Sequence, residues 1–238
     1  MTCIALPHGM QAVLPPPDGG YPGLNTAEGE NALFSLTTGT ANTAVGWFSL
    51  KSNTAGSFNT AVGVGTLLSN VGDQSMNQGV QNTAIGAAAL LLNTSGSFNT
   101  AVGVTSLANN TVASRNTAVG YNALSSNVDG HENTAIGVDA LSENSTGTAN
   151  TANGFQALQS NATGDTNVAI GYQALDNNTT GGANVAIGYA AGDNLTTGDG
   201  NVCIGESVYG VAGESNTTRI RNIYFFRGKW SASLRRFR

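Results

Sequence analysis

Few side chains in this 238-residue chain could do chemistry, and their spacing does not favour it. His8 and His131 are the only histidines, and Cys3 and Cys203 the only cysteines. A zinc or iron site needs three or four such ligands at short, fixed intervals, and no such cluster occurs. Asp165 and Asp199 each follow a glycine, as in calcium turns, but the nonapeptide spacing of calcium-binding β-rolls is missing. Asp129 and Asp193 scatter over other turns. The many serines and threonines show no nucleophile–base pairing. Gly63 and Gly65 give a G-x-G spacing inside an apolar repeat that precedes no helix, so no phosphate loop is predicted. Cys203 occupies a slot that is alanine elsewhere and reads as a small buried residue, not a nucleophile. Neither an enzyme nor a cofactor is expected.

The residues that do recur are structural. Asn, a small residue, an aliphatic and Gly return every 17 residues from Asn25, and only the step from Asn59 to Asn82 is longer, at 23. Six extra residues therefore sit in or near Val71–Gln78. A fixed short period over most of a chain means stacked rungs, each too small to bury its own core. The consensus is N-T-A-V-G-x-x-A-L-x-x-N-x-T-G-x-x over eleven rungs. Its first position holds Asn42, Asn82, Asn116, Asn133, Asn167 and Asn184 among others, and stacked in register these can form an amide ladder. Its fifth is always glycine, for example Gly46, Gly86, Gly120, Gly137, Gly171 and Gly188, which marks a positive φ or a close backbone approach.

The fourth position is mostly Val or Ile (Val45, Ile85, Val119, Ile136, Ile170) and the ninth mostly Leu (Leu50, Leu90, Leu124, Leu141, Leu175). These two ranks are the predicted core. T-A-V-G reads as one strand, x-A-L as a second, and N-x-T-G as a turn. Seventeen residues are too few for two packed helices. The prediction is an all-β fold, a parallel β-roll or solenoid of about eleven rungs, spanning roughly 50 Å at about 4.8 Å per rung. Two aliphatic ranks make a thin core, since burial of a side chain gives about 1.5–3 kcal/mol and ordering 17 residues costs at least as much. Neighbouring chains are expected to supply the missing burial, with the Ala/Gly face permitting close approach.

Composition fits this reading. Charged residues are 10% and aromatics 7%. Residues 1–218 carry a net charge of −12 and residues 219–238 one of +7. Without a recognition motif the basic tail does not predict a nucleic-acid partner. No apolar run reaches transmembrane length, so membrane insertion is not expected. Residues 1–24 read as an extended lead-in, with Met1–Val13 a weak match to the end of a secretory signal. Residues 25–218 form the repeat domain, and 219–238 a basic aromatic cap or junction.

The segments Asn167–Gly171 and Asn184–Gly188 (both NVAIG) and Asn82–Gly86 (NTAIG) resemble the repeats in head domains of trimeric autotransporter adhesins. The longer unit from Asn116, NTAVGYNALSSNVDG, is similar to repeats in secreted bacterial proteins and in phage-type tail fibres that end in an endosialidase-type intramolecular chaperone. The resemblance covers roughly residues 25–224. It implies a left-handed parallel β-roll in which three chains intertwine around one axis, at the cell surface or outside the cell. The expected function is a structural extracellular fibre or adhesin-type shaft, with end-to-end joining into filaments as a further mode. The expected partner is the chain itself, with a host or cell-surface glycan or protein as a second. The alternatives are a phage-type tail-fibre segment and a ligand-binding solenoid. That solenoid would take ice on the second-position threonines, or glycan on the sixth-position aromatics Trp47, Tyr121, Phe155, Tyr172 and Tyr189.

Overall fold

The computed structural model describes residues 22–221. Each rung contributes one three-residue strand: β1 (Thr26–Glu28), β2 (Thr43–Val45), β3 (Thr60–Val62), β4 (Thr83–Ile85), β5 (Thr100–Val102), β6 (Thr117–Val119), β7 (Thr134–Ile136), β8 (Thr151–Asn153), β9 (Val168–Ile170), β10 (Val185–Ile187), β11 (Val202–Ile204) and β12 (Thr218–Ile220). They lie in chain order in one parallel sheet. The register is the repeat itself, Ala118 beside Ala135 and Ala135 beside Ala152. The chain is a parallel β-solenoid of about eleven stacked turns. The sheet runs on to Ile220, so the boundary expected at 218 falls inside the last strand. The lead-in through residue 21 and the tail from 222 lie outside the described residues.

The strands are short because each is bounded by special backbone. In β1 to β11 a buried asparagine stands before the strand and a glycine at positive φ comes after it, such as Gly86 at 125°. A Cβ on Gly86 would sit 2.6 Å from the carbonyl oxygen of Gly103 in the next rung. Both reasons for glycine therefore hold at once.

The x-A-L segment is not a second strand. Its leucines adopt left-handed backbone, Leu124 at φ 51° and Leu175 at 53°, and the chain turns there. The rungs still bond along the axis. Asn122 N–H donates to the preceding rung (Val104 O, 3.0 Å) and Leu124 N–H to the following one (Ala140 O, 3.0 Å). Stacking thus satisfies backbone groups that a lone turn would leave to water.

Within one chain the two expected core ranks face opposite ways. Leu50, Leu90, Leu124, Leu141 and Leu175 are fully buried. Val45, Ile85, Ile136 and Ile170 are 36–41% exposed, and Val119 is only partly buried. Alternation along a strand explains the correction: the third-position alanines point inward at zero exposure, so the fourth position must point out. The Ala face expected to meet neighbouring chains is the inside wall instead.

Asparagines fill the rest of the interior in two ladders. In the first-position ladder, Asn133 N–H donates to Asn116 Oδ1 (2.9 Å) and Asn133 Nδ2 to Gly147 O (2.8 Å). A second ladder runs through the twelfth position, read from sequence only as part of a turn. There Asn144 Nδ2 donates to Asn127 Oδ1 (2.8 Å) and also to Gly147 O (3.0 Å). One carbonyl in each of rungs 2 to 9, here Gly147, thus takes an amide from both ladders. These polar side chains are buried at little cost because their bonds are met along the ladders, the exception being Asn178 Oδ1 at the upper end of the second.

Candidate functional site

The residues with chemical potential are tied up in holding rungs together. His131 Nδ1 accepts the Ser114 N–H at 3.0 Å, and its Nε2 faces Asp129 at 3.4 Å. Asp165 Oδ1 takes the Thr148 N–H (2.6 Å) and Asp199 Oδ1 the Gly182 N–H (2.7 Å). Ser114 Oγ serves Ser97 N–H in the same rank (3.0 Å). The Gly–Asp pairs that suggest calcium turns are therefore backbone caps, each reaching one rung down. Among the described residues no three His, Cys, Asp or Glu side chains are grouped to hold a metal ion. Cys203 is buried, and burial pushes its thiol further from the thiolate form. Cys3 and His8 lie outside the described residues.

Three carboxylates among the described residues have shifted acidity, Asp73 being held below its ordinary value by the Ser75 hydroxyl that donates to it. Asp176 is pushed up to about 6, first by burial and then by the neighbouring charges of Asp193 and Glu143; its Oδ1 is buried without a donor. Glu214 is held below its ordinary value by its hydrogen bonds from Arg219. Arg219 occupies the inward slot held by alanine or Cys203 in the rungs below, so the Arg219–Glu214 pair covers that end of the interior. Thr217 completes the cover, its hydroxyl donating to Asn201 Oδ1 at 2.8 Å.

The feature left without a partner is an outward stripe. Fourth-position side chains (Val45, Ile85, Ile136, Ile170, Ile187) run beside sixth-position ones (Trp47, Val64, Val104, Tyr121, Val138, and then Phe155, Tyr172 and Tyr189), all exposed. Regular stacking lines them up along the axis. In the upper half Phe155, Tyr172 and Tyr189 form a continuous ring stack, with centroids 5.1 Å apart and planes within 12° of parallel. Ring faces in such a stack cover one another, so a sugar could lie flat only on an end ring. The stripe exposes on the order of 1,000 Å², above the largest patch of an ordinary monomer at roughly 300–600 Å². Sequence reasoning singled out the sixth-position aromatics and missed the aliphatic half by sending the fourth position inward; strand alternation about a nearly invariant alanine was the available signal.

No family model, curated protein or solved structure matches this chain.

Proposed function

We propose that this chain is a structural rod, an extracellular fibre or adhesin-type shaft, that associates side by side into a homotrimer through the outward stripe. The stripe carries the reading. Its area is comparable to one partner's share of a specific interface, about 800 Å². A thin interior of Ala, Leu and Asn gains from burying it. The likeness of the NVAIG and NTAIG segments to adhesin head repeats supports three chains and an extracellular setting. Both ladders and the invariant glycines then serve stiffness, which is what a shaft needs.

Thr217, Arg219 and Glu214 close the interior at this end, while the outer edge of β12 pairs with no described strand, which keeps end-to-end joining as a second mode. Unpaired strand edges invite addition.

Light scattering on the full chain tests the reading. The wild type should have three times the chain mass at micromolar concentration, and Ile136→Lys/Ile170→Lys should reduce it to one chain with the β-sheet circular dichroism retained. A monomeric wild type would overturn it.

A further inference from the structure

The outward stripe is not uniform. From rung 2 to rung 11 every fourth-position residue is Val or Ile except in rung 8, where Asn153 stands. Asn153 is exposed, and its side-chain amide makes no hydrogen bond among the described residues. Its backbone is ordinary, with its carbonyl taking the Gly171 N–H at 2.8 Å as its counterparts do in other rungs. Only the side chain differs. The stripe also has polar ends: Glu28 and Glu30 in rung 1, and Glu206 in rung 11.

We propose that Asn153 fixes the direction and register in which copies of this chain pack side by side. The proposal rests on the lateral association argued above. Covering the stripe takes the Asn153 amide out of water, and an amide buried without a partner is costly. Copies that run parallel and in register put all their Asn153 side chains at one height, where each finds another amide. A slip by one rung sets Asn153 level with Ile136 or Ile170 instead. An antiparallel pair turned about the stripe's midpoint in rung 6 sets it level with Ile85 in rung 4. Both alternatives leave its donors and acceptor dry and unpaired. A single polar side chain in an apolar seam specifies register in the same way between coiled-coil helices. The stripe needs such a device, because a 17-residue repeat looks nearly the same after every one-rung slip. Interior bonds cannot help, since both asparagine ladders close within one chain.

The test measures distances between nitroxide labels in the associated full chain, with Cys3→Ser and Cys203→Ala removing the native thiols. Labels are placed on Asp129→Cys (rung 6) and Thr180→Cys (rung 9), equivalent positions of the repeat. Parallel copies give the same intersubunit distance at both sites, and a one-rung slip lengthens both equally, whereas copies in register give the shortest single distance. Antiparallel copies offset the rung 9 labels by six rungs, about 29 Å along the axis. The wild-type Asn153 background should give equal distances. Asn153→Ile, which installs the residue of five other rungs and so should fold, should add a population with a longer separation at rung 9. If Asn153→Ile keeps the wild-type distance distribution at both sites, Asn153 does not set register, although association stands. If the wild-type Asn153 background shows slipped or antiparallel distances, the proposal is likewise overturned. If the labelled chains are monomers, it is the association reading that fails.

Discussion

Asn93 Nδ2 donates to Asn70 Oδ1 at 2.9 Å, although 23 residues separate them where other members of the ladder are 17 apart. The six-residue insertion is therefore invisible to the interior. It leaves as a small excursion closed by mutual bonds between Asp73 and Gln78, with a single 3-10 turn at Gln74–Met76. Strand register is also untouched, with Ala61 still beside Ala84.

Deleting residues 73–78 should consequently leave a normal 17-residue rung. The loop's own ties, Ser57 Oγ to Gln74 Oε1 and Ser97 Oγ to the Asn77 carbonyl, are half-buried, but each hydroxyl keeps its bond from a backbone N–H, of Thr40 or Val80. Stability by chemical denaturation should change by less than about 1 kcal/mol. A loss above roughly 2 kcal/mol would mean that the insertion braces the coil.

Cutting the ladder is a different matter. Asn144→Ala removes the donor to Asn127 Oδ1, the acceptor for Asn161 Nδ2 and one amide on Gly147 O. Buried groups on both sides lose partners, so the loss should be about 3 kcal/mol by urea unfolding. Asn144→Ala as stable as the wild type would show that the amide chain adds nothing to folding. Asn144 also begins an N-x-S/T sequon, as does Asn161, yet both are fully buried. In the folded chain they are closed to glycosylation.

How far the sequence disclosed all this depended on which residues carry more than one meaning. Rung number, register and the first-position ladder follow from a strict period. Fifth-position glycine is legible because few backbones demand it. Val and Ile at the fourth position mislead, because apolar residues signal burial without saying by which chain. Asn144 and its equivalents mislead the other way, since asparagine before a glycine suggests a turn while an amide ladder needs only repetition. The third rank of side-chain caps, with Ser114, His131 and Asp165, shares no residue type. Only an acceptor atom is common to it, and so no periodic signal appears.

Backbone handedness predicts opposite outcomes for two glycine–alanine exchanges. Gly86→Ala places a methyl against Gly103 at φ 125° and should cost at least about 3 kcal/mol. Ala149 is an exposed residue at φ 58°, where its counterpart in rung 10 is Gly200 at 71°. Ala149→Gly relieves the left-handed penalty and should raise stability by about 0.5–1 kcal/mol, net of the added chain entropy. Thermal unfolding of both variants decides; a destabilised Ala149→Gly would contradict the backbone geometry.

Asp176 should make the rod less stable as pH rises. Its carboxyl goes from the ordinary 3.8 to about 6 on folding, so the folded chain holds this proton more tightly than the unfolded one. Its effect is absent below about pH 4, grows as pH rises to about 6, and is constant above. Asp176→Asn should remove this slope. Because the site is only half-buried, the gain at pH 7 should be on the order of 1 kcal/mol, well short of the full shift. Denaturation midpoints at pH 4 and pH 7 measure it, and equal midpoint differences at both pH values would refute the assignment.

The second ladder ends badly at its upper end, and that can be repaired. Asn178 Oδ1 is buried with no donor, because rung 10 carries Leu195 where asparagine would stand. Rung 10 also has Gly192 in the leucine slot, at φ 67°, and the Leu195 side chain packs beside that glycine. The two exchanges belong together: a leucine displaced by three residues fills the space that the glycine leaves. Leu195→Asn alone would supply a donor for Asn178 but empty the core, and should destabilise by about 2 kcal/mol or more. Gly192→Leu/Leu195→Asn restores both ranks of the consensus rung. It should exceed the wild type by about 1–3 kcal/mol, the cost of an unpaired buried acceptor. If the double variant is no more stable than wild type, water already serves Asn178, or the Leu195 packing beneath Gly210 outweighs the missing bond.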